Sequence, residues 1–495
     1  MDKISLTFPQ VKINLDIQNL TFNSLEQMVF DITRQIGRQV LAKTLEEVDQ
    51  NLKAERPQGT LENTGKRPKV LMTRLGDIRY ERTRYRDRQT KKSRYLLEEK
   101  LGLWPNQRIS LSRSKMEMFI ASLDTYRGAQ ENVRLLLGIT RSHESIRQSI
   151  LKEADQIIRY QTSELEKTKH LEDKPQKPLS DIAYLETDSA FVRFQRRKKR
   201  KPNQKTPSKR KRKSIEIKLG IGYTGKESRY KTGARLAQCL QNKFFHVDIT
   251  SGMKFMEHLS LIAEKKLCLS GVKALIVGGD GARWIKRGLE DNFVNAVYVL
   301  CRFHLWRNVK RALSLRPEAQ KTIKHLIQTD QIDRALDLIR EMIQKPKDMK
   351  ETRDLKALYA YICQNREGIN SLDHIQDKEI KSQVRGCGAI ESNVDKFIAH
   401  RMKKKGMSWS PKGALSLLKV KEKIMNHEWD SWWGKDRDQK IEIKSHVWPV
   451  LTSKDFWRKE RGVTSLLEAE IPALQGSDQN KPWAKVLREL SNVRF

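Results

Sequence analysis

The sequence predicts an α/β core between residues 180 and 315, and three observations predict it. Short apolar runs of strand length recur there, at 182–187, 214–222, 244–249, 272–277 and 296–300. Stretches with apolar residues three and four apart separate the later runs: 255–267, with Met256, Leu259, Ile262 and Ala263 on one side, then 284–289, then a helix from about Phe303. Two of the runs end on acids followed by small residues, at Asp188-Ser-Ala and at Gly278-Gly-Asp280-Gly.

Taken in order these elements are three strands, a helix, a strand, a helix, a strand and a helix. That order matches an RNase H-like layer, with the first three strands antiparallel and the later ones joined by helical crossovers. The first strand ends on Asp188 and resumes at 191–194. Residues 196–213 carry twelve Lys/Arg in eighteen positions with two prolines, a composition that reads as a solvated loop. Residues 316–385 show amphipathic helical spacing (Ile323, Leu326, Ile327; Ile332, Leu336, Ile339, Met342) and form an all-α insertion. The core resumes at 386–425 with a helix carrying Glu391. The region 426–495 is Trp-rich, with Trp429, Trp432, Trp433, Trp448, Trp457 and Trp483.

A mainly helical region, read as DNA-binding, precedes the core. Residues 1–55 form a helical segment, and the polar stretch 54–67 reads as a linker. Residues 68–105 hold a β-hairpin with its turn at Gly76-Asp77 and a second strand alternating Ile78, Tyr80, Thr83 and Tyr85. Residues 106–175 are helical. Ala129, Val133, Leu136 and Leu137 line one helix, Gly138 stops it and Ser142 caps the next. Two helices about a Gly turn outline a helix-turn-helix, and equally an ordinary helical hairpin with polar outer faces. Arg141, Arg147 and Lys152 are the side chains suited to phosphates or bases.

The charge balance narrows the partners. Lys and Arg number 98 against 61 Asp and Glu, a net charge of +37. A field of that sign draws polyanions, above all nucleic acid. No export pattern, amphipathic anchor or long apolar run is present, so a cytoplasmic, nucleoid-associated protein without a membrane partner is expected. The five cysteines are scattered and never spaced C-x-x-C, which argues against a disulfide framework or a zinc ribbon.

Acids at the ends of buried strands in a basic protein suit phosphodiester chemistry. Two Mg²⁺ ions about 3.5–4 Å apart neutralise charge on phosphorus and activate an oxygen nucleophile. Mg²⁺ prefers carboxylate oxygen and keeps several waters, so a few acids suffice. Asp188, Asp280 and Glu391 are those acids, with Mn²⁺ as a substitute cation. Each also has a plainer reading: Asp with Gly makes turns, and Glu near a helix start complements the helix dipole.

The segment from Gly388 to Trp409, Gly-Ala-Ile-Glu-Ser-Asn-Val-Asp-Lys-Phe-Ile-Ala-His-Arg-Met-Lys-Lys-Lys-Gly-Met-Ser-Trp, resembles the third-acid block of bacterial insertion-sequence transposases of the ISLre type. That group was long catalogued as an uncharacterised protein family and is distantly similar to Mutator-like transposases. Glu391 falls on its acid, Asp280 in Gly-Gly-Asp-Gly on the second aspartate and Asp188 in Glu-Thr-Asp-Ser on the first. Cys301-Arg-Phe-His304 is similar to a Cys/Asp-x-x-His element of related transposases, whose His lies near the active site; a helix-capping His is the plainer alternative. The likeness spans about residues 70–420 and departs from the pattern at Ser189 and Cys301.

The resemblance implies a DDE transposase that cleaves DNA at its element's terminal inverted repeats and transfers strands into target DNA. It also implies that Asp188, Asp280 and Glu391 hold the metals and that two element ends are paired by a homo-oligomer. Arg196, Arg197, Lys198, Lys199 and Arg200 of the basic loop, with Arg401, Lys403, Lys404 and Lys405 after Glu391, would grip phosphates. A nuclease of the same core without strand transfer, and a DNA-binding protein without catalysis, are the competing readings.

Overall fold

The computed structural model describes residues 21–56, 59–104, 106–139, 141–169, 177–195, 214–232, 235–293 and 296–434. The basic residues Arg196, Arg197, Lys198, Lys199 and Arg200, the rest of the loop 196–213, and Trp448, Trp457 and Trp483 lie outside the described residues.

Helix α1 (Phe22–Glu55) leads into a hairpin of β1 (Leu61–Thr73) and β2 (Gly76–Asp87), joined at its edge by β3 (Ser93–Arg94). The expected linker is therefore shorter than 54–67. From Leu61 the chain is already a strand, held by ladder bonds to β2 although little of that stretch is buried. The turn also falls two residues earlier than expected, at Arg74-Leu75, and Gly76 (φ +121°) opens β2. The alternation read in β2 is real: Ile78, Tyr80, Thr83 and Tyr85 are all buried.

Next come α2 (Leu96–Lys100), α3 (Leu111–Leu123), α4 (Tyr126–Leu137) and α5 (His143–Lys169). Gly138 ends α4 in the left-handed conformation and Ser142 Oγ accepts from Ser145 N, so the local turn is the one expected. However, α5 runs for 27 residues and buries Ile146, Ile150, Ala154, Ile157 and Leu165, making it a spine of the protein rather than a short reading helix.

The central sheet contains β4 (Ile182–Arg193), β5 (Ser214–Tyr223), β8 (Phe244–Asp248), β9 (Ala274–Gly279) and β10 (Ala296–Leu300), in the order β10-β9-β4-β5-β8. The β4–β5 and β5–β8 pairs are antiparallel; β4–β9 and β9–β10 are parallel. Strands covered on both faces read as unbroken apolar runs, which is why β9, buried throughout, was legible. Two features differ from expectation. β4 passes through Asp188 without a break, and an extra hairpin, β6 (Gly225–Thr232) with β7 (Arg235–Gln241), follows β5. β6 is polar, and the apolar residues of β7 (Leu236, Ala237, Cys239, Leu240) fall in adjacent pairs, so no alternation announces a strand.

Helices α6 (Gly252–Leu267), α7 (Arg283–Asn292) and α8 (Arg302–Ala312) follow β8, β9 and β10 respectively. Then α9 (Pro317–Gln328), α10 (Ile332–Gln344), α11 (Met349–Gln364) and α12 (Lys378–Gln383) form a helical layer, with no strand among the described residues there. Ile323, Ile327, Leu336, Ile339, Leu355 and Ile362 pack with Leu305 and Val309 of α8. The chain returns through α13 (Ala389–Val394), a π-helical turn (Asp395–Ala399) and α14 (His400–Met402), and the last described elements are α15 (Pro411–Met425) and α16 (Trp429–Trp432).

Both sheet edges are covered, which removes templates for aggregation. On β8, Phe245 N donates to Asn426 Oδ1 (2.7 Å), Asn426 Nδ2 donates to Phe245 O (2.9 Å) and Val247 N donates to Glu422 Oε2 (3.3 Å). On β10, Ser371 Oγ donates to Tyr298 O (2.6 Å).

Candidate metal centre

Strand register decides which side chains meet. Glu186 pairs with Gly278 across the parallel β4–β9 ladder, so Asp188 and Asp280, each two residues further on, point to the same face of neighbouring strands. Asp188 lies inside β4 and is 6% exposed. Its Oδ1 accepts from Ser189 N (2.7 Å). Asp280 Oδ1 accepts from Ala282 N (2.9 Å) and its carbonyl accepts from the Tyr361 hydroxyl (2.9 Å), so an Asp-Gly turn and an inward carboxylate coexist. Gly281 (φ +91°) turns the chain where a Cβ would stand 2.7 Å from the Asn365 side chain, which restricts the position to glycine.

Cys301 N donates to Gly279 O (2.8 Å), extending the β10 ladder by one residue and setting Cys301 beside Asp280. Cys301 caps α8, and His304 in its first turn is buried. His304 Nδ1 lies 2.8 Å from Glu391 Oε1, an ion-pair contact without the alignment of a hydrogen bond. The Cys301 thiol donates to the same oxygen at 3.4 Å. Ligand atoms of Asp188, Asp280 and His304 lie within 4.8 Å of one another, and so do those of Cys301, His304 and Glu391. The three acids thus form two groups with His304 common to both, and Glu391 faces the histidine rather than the aspartates.

The electrostatics are those of crowded acids around one cation. Burial pushes the Asp188 carboxyl up to about 6; Glu391 and Asp280 push the same way, against the Ser189 amide and His304. Burial also works against charge on His304, but contacts with Cys301 and Glu391 and the charge of Asp188 outweigh it and hold the ring at about 10. For Glu391, burial is likewise outweighed by His304, and the carboxyl sits below its ordinary range. Carboxylate oxygens gathered at one buried point, where burial above all lifts Asp188, suit a hard divalent cation. Asp188 and Asp280 could hold such an ion, with Glu391 adjoining.

Sequence reasoning missed Glu186. This fully buried acid accepts at Oε2 from Gly388 N (2.8 Å) and Ile390 N (3.0 Å), and at Oε1 from Ala389 N (3.2 Å) and the Tyr223 hydroxyl (2.6 Å). It pins the start of α13 and so sets where Glu391 stands. The available signal was an acid two residues before Asp188 in an apolar strand, hence on the same face. Gly278 permits the approach, since a Cβ there would lie 3.0 Å from Cys387 Sγ and 3.3 Å from Glu186 Cγ.

Comparison with known proteins now places the chain. Residues 15–431 match an uncharacterised protein family, UPF0236. The chain belongs to that family. A UPF0236 protein of Caldanaerobacter subterraneus subsp. tengcongensis is 25% identical over 489 residues, covering 95% of this chain and 92% of its own length. The UPF0236 protein in the vanSb 3' region of Streptococcus gallolyticus is 24% identical over 405 residues, covering 80% and 81%. Among solved structures, the Drosophila P element transposase strand transfer complex aligns at a TM-score of 0.21 and 9% identity, over 70% of this chain and 84% of that one. So slight a likeness has no bearing on the site.

Two of the basic residues expected on DNA are committed inside this UPF0236 protein. Arg401 is fully buried: its Nε donates to Ala121 O (3.1 Å), and its guanidinium lies 5.1 Å from the Trp409 ring centre and 5.4 Å from that of Tyr126. Arg141 pairs with buried Glu117 and donates to Ser149 Oγ (2.8 Å). A count of charges cannot distinguish such arginines from surface ones. Arg147 pairs with Glu144, Lys404 with Asp395 and Lys405 with Asp124, while Lys152 and Lys403 are exposed. No helix among the described residues is long and apolar enough to cross a membrane.

Proposed function

We propose that this UPF0236 protein is a DDE transposase that cuts DNA at the ends of an insertion sequence and joins the freed ends to target DNA. One observation carries the reading: Asp188 and Asp280 share a face on adjacent parallel strands, and α13 brings Glu391 to that face through His304. The strand order β10-β9-β4-β5-β8, with β4 and β5 antiparallel and β4 and β9 parallel, supports reading the core as RNase H-like, with α9–α12 inserted before the third acid.

Mg²⁺ held here would supply positive charge to the scissile phosphate and so lower the barrier to attack by an oxygen nucleophile. Asp188 and Asp280 anchor that charge on rigid strands. Glu391 would complete the ligand set from a helix whose start Glu186 fixes, and His304, buried among the three acids, holds Glu391 and adds positive charge to the centre. The net charge of +37 provides affinity for DNA phosphates, and pairing of two element ends calls for a homo-oligomer.

The deciding experiment compares wild type with Asp280→Asn on DNA spanning an element boundary, with Mg²⁺ and a target duplex. Nicking at the boundary and joined product, both lost in the variant, are expected. Nicking without joining would favour a nuclease of the same core. Binding without cleavage by wild type would remove the catalytic reading.

A further inference from the structure

A second cluster of ligating side chains lies on the other face of the sheet. His246 and Asp248 of β8 alternate to the side occupied by α6, and His258 of α6 meets them. Register places His246 level with Gly220 and Thr187, and Asp248 level with Lys218 and Ser189. The cluster thus sits on the face opposite Asp188 and two strands away, roughly 10 Å across the sheet. One ligand atom from each of His246, Asp248 and His258 falls within 4.8 Å of the others.

A second observation marks the cluster as a site rather than ordinary packing. His246 is 2% exposed, yet neither ring nitrogen makes a hydrogen bond. Nδ1 faces Glu422 Oε1 at 3.5 Å, beyond hydrogen-bond length, and Nε2 has no partner among the described residues. A buried imidazole ordinarily satisfies its polar atoms, because leaving one unpaired is costly. A carboxylate beside one ring nitrogen and no partner on the other leaves the imidazole free to take a metal, and a carboxylate of this kind ordinarily orients a metal-ligating histidine. The buried lysines nearby are already neutralised: Lys218 pairs with Glu216 (3.1 Å) and Lys419 with Glu422 (2.9 Å).

We propose that His246, Asp248 and His258 bind a divalent transition metal of the Zn²⁺ class, tying α6 to the edge strand β8. Two imidazoles and a carboxylate suit Zn²⁺ or Co²⁺ rather than Mg²⁺, which takes oxygen ligands. Ligands about 2.0–2.1 Å from Zn²⁺ stand roughly 3.3 Å apart at tetrahedral angles, so a small side-chain closure completes the site. The fourth position is left to water. The proposal stands whatever reaction the acidic centre performs.

The test uses tag-free full-length protein, stripped with chelator and titrated calorimetrically with Zn²⁺, with Co²⁺ absorption as a second readout. Four proteins are compared: wild type, Asp188→Asn/Asp280→Asn, His258→Ala and Asp248→Asn, each checked for fold by circular dichroism. Expected are a tight Zn²⁺ site in the double variant, the same site in wild type beside any binding at the acidic centre, a raised melting temperature in both, and tetrahedral Co²⁺ bands. His258→Ala and Asp248→Asn should bind at least tenfold more weakly while keeping the metal-free spectrum. Failure of wild type to bind Zn²⁺ would overturn the proposal. So would binding that survives both His258→Ala and Asp248→Asn, or binding lost only with the two aspartates.

Discussion

Glu186→Gln tests how the third acid is held. The carboxylate takes four donors, two at each oxygen: Tyr223 and Ala389 at Oε1, Gly388 and Ile390 at Oε2. Glutamine has the same shape but one acceptor oxygen, so two of the four donors would face an NH₂ group. An unsatisfied buried donor costs about 1–3 kcal/mol, which puts the loss at about 2–6 kcal/mol. Loss of a negative charge at the start of a helical segment acts in the same direction. Even the lower bound of about 2 kcal/mol shifts a local opening equilibrium roughly 30-fold. Hydrogen exchange by mass spectrometry should therefore show the amides of 388–390 exchanging at least about 30-fold faster, while β4 and β9 keep their protection. Boundary cleavage should fall in parallel, because Glu391 loses its fixed position. Exchange at 388–390 within threefold of wild type, together with undiminished cleavage, would refute the reasoning. In that case the packing of Ile390 and Phe397 would be holding the helix instead.

Three further outcomes follow from other residues. With Asp188 lifted to about 6, first by burial, the folded metal-free centre takes up a proton that the unfolded chain does not hold until lower pH. This group therefore adds stability to metal-free protein as pH falls through about 6, and its proton competes with metal; Mn²⁺ titrations should lose affinity below about pH 6 and hold it above. For the arginines and lysines, Arg401→Ala should destabilise the fold by about 3 kcal/mol or more, by orphaning Ala121 O and the packing on Trp409, as denaturant melts would show. Lys403→Ala should leave the melt unchanged but lower the slope of log affinity for DNA against log salt by about 0.9 if that lysine meets a phosphate.

Local chemistry determined a good part of this protein. Ala274–Gly279 was legible as a strand because it is buried along its whole length, which forces an unbroken apolar run; Ala296–Leu300, half-buried at its start and buried at its end, is apolar as well. Asp188 and Asp280 stood out because an acid is costly in such a run unless it has a partner. The glycines around Asp280 announced the tight turn. What lay beyond reach depends on pairings far apart in the chain. Glu186 is explained by three amides about two hundred residues later and by the Tyr223 hydroxyl, and nothing near it in sequence marks that meeting. Arg141 and Arg401 look like surface cations until Glu117 and Ala121 are found against them. His246 and His258 become a cluster only when α6 crosses β8. Sequence periodicity reports which face of an element is buried. The partner waiting on that face is set by strand register and helix docking, and these decided that the acids of this chain gather around His304.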